Sequence, residues 1–139
     1  MAKILLIEDD TYIRELYEEV LKGVGFEVVV AIDGEVGLEH AKIGGFDLIL
    51  LDMMLPKLDG LGFLRALKNE PPKAPNGPII ILSNLTHDPV IKMAQTLGAS
   101  AFVAKSEMDP GEFLDKVRGF LAQAQTETKL PEAPRQDPQ

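Results

Sequence analysis

Five short apolar runs punctuate the chain: Ile4–Ile7, Val28–Ala31, Leu48–Leu51, Ile79–Leu82 and Ala101–Ala104. They are continuous and rich in β-branched residues, as strands are when a sheet buries them on both faces. Between them, apolar residues return at helical spacing. Ile13, Leu16, Tyr17, Val20, Leu21 and Val24 form one stripe, which Gly23 or Gly25 can end. Phe63, Leu64 and Leu67 form a second; Val90, Ala94 and Leu97 form a third, with Asp88-Pro89 placed as N-cap and first helical residue. A fourth stripe, Phe113, Leu114, Val117, Phe120 and Leu121, is opened by Asp109-Pro110-Gly111-Glu112, an Asp variant of the capping box. The segment from Asp33 to Ile43 is the weakest helix, because Gly34 and Gly37 lower its propensity.

Strand and helix thus alternate five times. This predicts an α/β fold, a doubly wound parallel sheet with helices on both faces and right-handed crossovers. Pro71, Pro72, Pro75 and Pro78 stiffen a loop over residues 70–78. From about Gln125 the apolar pattern stops, and Pro131, Pro134 and Pro138 punctuate a polar segment. The expected organisation is one domain over residues 1–124 and a disordered tail or linker stub over residues 125–139.

The 139 residues carry 14 Lys plus Arg against 22 Asp plus Glu, a net charge of −8. That balance argues against this surface gripping nucleic acid or an anionic membrane. The absence of cysteine excludes disulfides and thiolate chemistry, and two histidines, His40 and His87, exclude a multi-histidine metal site. Both histidines are expected at the surface. No apolar run approaches a membrane span, and Ile4–Ile7 leads straight into Glu8, Asp9 and Asp10 with no sign of a signal peptide. A soluble, cytoplasmic, acidic domain is the expectation. Gly23-Val24-Gly25 and Gly60-Leu61-Gly62 are not phosphate loops, because neither belongs to a dinucleotide fingerprint or precedes Lys-Ser/Thr. Met53, Met54, Met93 and Met108 form no stripe that suggests a partner groove.

In an open parallel sheet, ligands bind beyond the carboxyl ends of the strands. The first strand here ends in Glu8, Asp9 and Asp10, the third in Asp52, the fourth in Ser83 and the fifth in Lys105. The second ends in nothing distinctive. Each residue alone has a bland explanation: Asp9 or Asp10 as a helix cap, Ser83 in a turn, Lys105 solvated. Together they do not, since two carboxylates ~5 Å apart repel by roughly 3 kcal/mol at an effective dielectric near 20. Such a cluster must find a cation, take up protons or keep a lysine close. Oxygen ligands on an open rim favour Mg²⁺ or Mn²⁺. The same set suits phosphoryl transfer to a carboxylate, with metal, lysine and hydroxyl neutralising the moving group. Asp52 is the expected nucleophile, Asp9 and Asp10 the metal holders, and Glu8 a weaker, water-mediated candidate.

Over roughly residues 2–123 the chain resembles a response-regulator receiver domain of two-component signalling. The resemblance rests on Asp9-Asp10 after Ile4–Ile7, Asp52 after Leu48–Leu51, and Leu55-Pro56 with Asp59-Gly60 downstream. Ser83 after Ile79–Leu82, and Phe102 three residues before Lys105, complete it. The resemblance implies a flavodoxin-like sheet in the order 2-1-3-4-5. It implies that Asp52 accepts phosphate from the phosphohistidine of a histidine kinase or phosphotransfer protein. It implies Mg²⁺ held by Asp9, Asp10, Asp52 and the Met54 backbone carbonyl, with Ser83 and Phe102 as a switch pair. Output is expected through the face of the fourth helix, fifth strand and fifth helix, in a single-domain regulator that is not a turnover enzyme. Two positions depart from the family pattern: Ser106 follows the lysine where proline is common, and Asn84 follows Ser83 where a small residue is usual. Three other classes compete. A phosphohydrolase with an aspartyl nucleophile wants an acid/base two residues after Asp52, where Met54 stands. A flavin-binding protein needs a phosphate loop after the first strand, where three acids stand. A phosphorylation-independent interaction module of the same fold usually lacks part of the acidic set or the lysine.

Overall fold

Each apolar run lies in a parallel strand with its neighbours hydrogen-bonded beside it. Among the described residues, strands β1 (Lys3–Ile7), β2 (Glu27–Ala31), β3 (Leu48–Asp52), β4 (Ile79–Ser83) and β5 (Ala101–Ala104) alternate with five helices. These are α1 (Thr11–Gly23), α2 (Gly34–Ile43), α3 (Gly60–Asn69), α4 (Asp88–Thr96) and α5 (Pro110–Arg135). The structure, a computed structural model, describes the backbone of residues 1–84, 88–105 and 108–135, and side chains there except at 88 and 125–135. The strand order is β2-β1-β3-β4-β5, the expected doubly wound arrangement. The segment expected to be a tail continues α5 as far as Arg135, and its side chains lie outside the described residues. The same holds for His87, for the capping side chain of Asp88 and for the Lys105–Ser106 junction.

Side chains alternate across a strand, so one sheet builds two cores. Ile4, Leu6, Leu48, Leu50, Ile80, Leu82 and Val103 face one way, packed with Tyr17 and Leu21 of α1 and Phe113 and Val117 of α5. Leu5, Ile7, Ile49, Leu51 and Ile81 face the other, packed with Ala41 of α2, Phe63, Leu64 and Leu67 of α3, and Ala94 of α4. The glycines that weaken α2 as a helix are required by its packing. A Cβ on Gly34 would sit 1.7 Å from the Leu58 carbonyl oxygen, and one on Gly37 would sit 2.6 Å from the Ile7 side chain. Asp33 offsets part of the lost propensity by capping α2 through the Val36 N–H at 2.8 Å. At α5 the capping box is reciprocal: Asp109 N–H donates to Glu112 at 2.9 Å, and Glu112 N–H donates to Asp109 at 2.8 Å.

Candidate functional site

Register fixes what meets at the carboxyl edge. Ile7 pairs with Leu51, Leu51 with Ile81 and Ile81 with Phe102. One residue further along, Glu8 follows Ile7 and Asp52 follows Leu51, so the two carboxylates come level on neighbouring strands. Both carry the parity of the α1/α5 face: Ile4, Leu6, Glu8 on the first strand and Leu48, Leu50, Asp52 on the third. Lys105 continues the same parity from Ala101 and Val103.

The three side chains meet in a buried ion cluster. Lys105 Nζ donates to Glu8 Oε1 at 2.8 Å and to Asp52 Oδ2 at 3.0 Å. The side chain of Glu8 is 0% exposed and that of Lys105 only 7%. The other oxygens are also engaged: Asp10 N–H donates to Glu8 Oε2 at 3.1 Å, and Met54 N–H donates to Asp52 Oδ1 at 3.2 Å. Burial pushes the Glu8 carboxyl up, against the hydrogen bonds from Lys105 and the Asp10 N–H and with the help of Asp52, to about 7. Burial pulls the Lys105 ammonium down, but its bonds to Glu8 and Asp52 outweigh that and leave it above its ordinary value. The α1 helix frames the cluster. Arg14 Nη1 donates to the carbonyl oxygens of Glu8 at 3.0 Å and Asp9 at 3.2 Å, and Tyr17 Oη donates to the Lys105 carbonyl at 3.3 Å.

Carboxylate oxygens of Glu8, Asp9 and Asp52 lie within 4.8 Å of one another and could hold a metal ion. This all-oxygen set, with Asp9 at the exposed rim, fits a hard divalent cation. Asp10 is placed elsewhere than the sequence suggested. It is the N-cap of α1, and its Oδ1 accepts from Ile13 N–H at 3.0 Å. Glu8 takes the place expected for it, because the acid one residue beyond Ile7 is the one the strand turns toward Asp52. Ser83 and Phe102 carry the opposite parity. Ser83 is buried, and half-buried Phe102 packs against the core under α2, α3 and α4. Met54 is exposed, beside the Asp52 that its N–H supports. Asp33, two residues beyond β2, is buried, and its Oδ2 lies 3.7 Å from Lys57 Nζ.

The response regulator receiver domain family matches residues 4–118. This chain is a response regulator receiver domain. Among curated relatives, it is 35% identical over 126 residues to the probable transcriptional regulator ycf27 of Cyanophora paradoxa, covering 91% of this chain and 51% of that protein. It is 34% identical to the response regulator ArlR of Staphylococcus saprophyticus, covering 87% and 53%. The receiver therefore spans about half the length of these relatives. Among solved structures, a CheY-like receiver domain protein from Methanospirillum hungatei superposes with a TM-score of 0.80 at 25% identity, covering 91% of this chain and 98% of that one. The BeF3-activated DrrB receiver domain gives 0.72 at 30% identity, covering 88% and 98%. Among the described residues of the receiver, no helix is long and apolar enough to cross a membrane.

Proposed function

We propose that Asp52 is the phosphoacceptor of this receiver, taking a phosphoryl group from the phosphohistidine of a histidine kinase or phosphotransfer protein. The observation that carries this reading is the ammonium of Lys105 held 3.0 Å from Asp52 Oδ2 at the carboxyl edge of the sheet. An Asp52 carboxylate oxygen attacks phosphorus, an O–P bond forms, and the P–N bond breaks with its electron pair returning to the imidazole. The Met54 N–H at Oδ1 orients the carboxylate. Lys105, already between two carboxylates, exchanges part of that pairing for an oxygen of the incoming group. Glu8, Asp9 and Asp52 would hold Mg²⁺ or Mn²⁺, which when bound neutralises charge on the phosphoryl oxygens. The acyl phosphate is a state to be hydrolysed or passed on, so the receiver is a switch and not a turnover enzyme. Its expected place is the cytoplasm.

The added charge and acceptor oxygens bias a partner-binding surface. We place that surface on α4, β5 and α5, where Ser83 and Phe102 lie on neighbouring strands, Ser83 opposite Ala104 and Phe102 opposite Ile81. As support, several relatives are named as transcriptional regulators; we read a partner, or an attached output unit, as the carrier of any DNA recognition, and expect the receiver, with its net charge of −8, to contact neither nucleic acid nor membrane itself. Incubation with acetyl phosphate and Mg²⁺, followed by intact-mass measurement, should add one phosphoryl group. Asp52→Asn should abolish it; undiminished labelling of that variant would place the acceptor elsewhere.

A further inference from the structure

Lys105 works at the end of a long lever. β5 lies three places from β1 in the sheet, roughly 14 Å at ~4.8 Å per strand. The ammonium also sits on a flexible four-carbon stem. A small tilt of the Lys105 backbone therefore moves Nζ relative to both carboxylates. The hydroxyl of Tyr17 on α1 reaches that backbone, donating to the Lys105 carbonyl at 3.3 Å. Its ring is stacked on Phe113 of α5, centroids 3.9 Å apart and planes 6° from parallel, so packing sets the direction of the hydroxyl. Tyr17 is 3% exposed among Ile4, Leu6, Leu21 and Phe113, where phenylalanine would fill the same volume without a polar atom. A buried phenol needs an acceptor, and the Lys105 carbonyl is one. Burial foremost, with Lys105 opposing and Glu8 adding, raises the phenol above its ordinary value, so it stays a donor at neutral pH. One turn earlier on the same helix, Arg14 holds the carbonyls of Glu8 and Asp9. Helix α1 thus grips the backbone at both ends of the ion cluster.

We propose that Tyr17 is a positioning residue for Lys105: through the Lys105 carbonyl, its hydroxyl sets where the ammonium stands between Glu8 and Asp52, and so the rate at which Asp52 is phosphorylated. This rests on Asp52 being the acceptor. Tyr17→Phe keeps the stack on Phe113 and removes Oη alone. Losing one neutral hydrogen bond should slow labelling by acetyl phosphate at saturating Mg²⁺ about two- to tenfold. In a Lys105→Met background the same change should have no further effect, because the group it positions is gone. An equal slowing there would show that Tyr17 acts on the fold generally and would overturn the proposal. A second readout does not need phosphorylation: the ¹H–¹⁵N signal of the Lys105 ammonium, which should shift or broaden in Tyr17→Phe. An unchanged signal overturns the proposal. If the wild-type chain takes no phosphoryl group at all, the acceptor reading fails, and the ammonium signal alone decides whether Tyr17 positions Lys105.

Discussion

Replacing Lys105 by methionine keeps most of the stem's volume and removes the ammonium from between Glu8 and Asp52. The carboxylate oxygens of this cluster lie within 4.8 Å of one another. At that separation and an effective dielectric near 20, two negative charges repel by about 3.5 kcal/mol. That matches the ~3–5 kcal/mol lost when one partner of a buried ion pair is removed. The pair can escape by binding a proton, which makes the cost depend on pH. A carboxyl whose folded pKa exceeds its unfolded value stabilises the folded state most below the unfolded pKa, and that stabilisation is lost as pH rises through the folded one. For Glu8 the window already runs from 4.5 to about 7, and losing Lys105 extends it upward. In chelator at pH 8, Lys105→Met should therefore unfold about 3 kcal/mol more easily than wild type, roughly 10 °C in melting temperature. At pH 5 the gap should shrink to less than half. Mg²⁺ at pH 8 should recover much of it, since a divalent ion supplies the missing charge. Urea melts at the two pH values, each with and without Mg²⁺, read all four states. A loss of the same size at both pH values, untouched by metal, would refute the electrostatic account and leave only a packing defect.

Other expectations follow from the same geometry. Mg²⁺ at a hundredfold excess over its Kd should stabilise by ~2.7 kcal/mol, and Glu8→Gln or Asp9→Ala should reduce the accompanying rise in melting temperature. Asp10→Ala should cost ~1 kcal/mol as a lost helix cap while keeping that Mg²⁺ response; a vanished response would return Asp10 to the metal site. Gly34→Ala and Gly37→Ala should both destabilise by ~1–3 kcal/mol or more, despite gaining helix propensity. Gly34→Ala should be the worse in denaturant melts, because it meets backbone at Leu58 and Gly37→Ala meets a side chain of Ile7.

The strands and their order were legible because each apolar run is continuous and the alternation with helices leaves few ways to connect them. Asp52 and Lys105 were legible for the same reason, as charged residues standing where an apolar run stops. The β1 acids were harder. Glu8, Asp9 and Asp10 are consecutive, and composition cannot say which one a strand turns inward. Counting parity from Ile4 and Leu6 would have chosen Glu8, and the capping preference of aspartate before the first helical stripe would have set Asp10 apart. Tyr17 was hidden in plain sight within the apolar stripe of α1, since nothing local to Tyr17 reveals that its hydroxyl meets a residue 88 positions away. The close approach of Gly34 to Leu58 was invisible in the same way, being a contact between two segments that propensity treats separately.

The shared parity of Glu8, Asp52 and Lys105 also governs which length changes the gene can tolerate. Deleting or inserting one residue within β1, β3 or β5 would turn the terminal charged side chain toward the core under α2, α3 and α4, and its apolar neighbours toward the wrong helices. Each such event would cost the ion cluster and half a strand's packing at once. The proline-rich connection over residues 70–78, at the edge opposite the acids, is held by different contacts: Ala74 bridges to Gly44, and Asn76 donates to the Ala41 carbonyl and accepts from the Phe46 N–H. Descendants of this sequence should therefore hold fixed the spacings from Ile4 to Glu8, Leu48 to Asp52 and Ala101 to Lys105, even where the helices and loops between them change length.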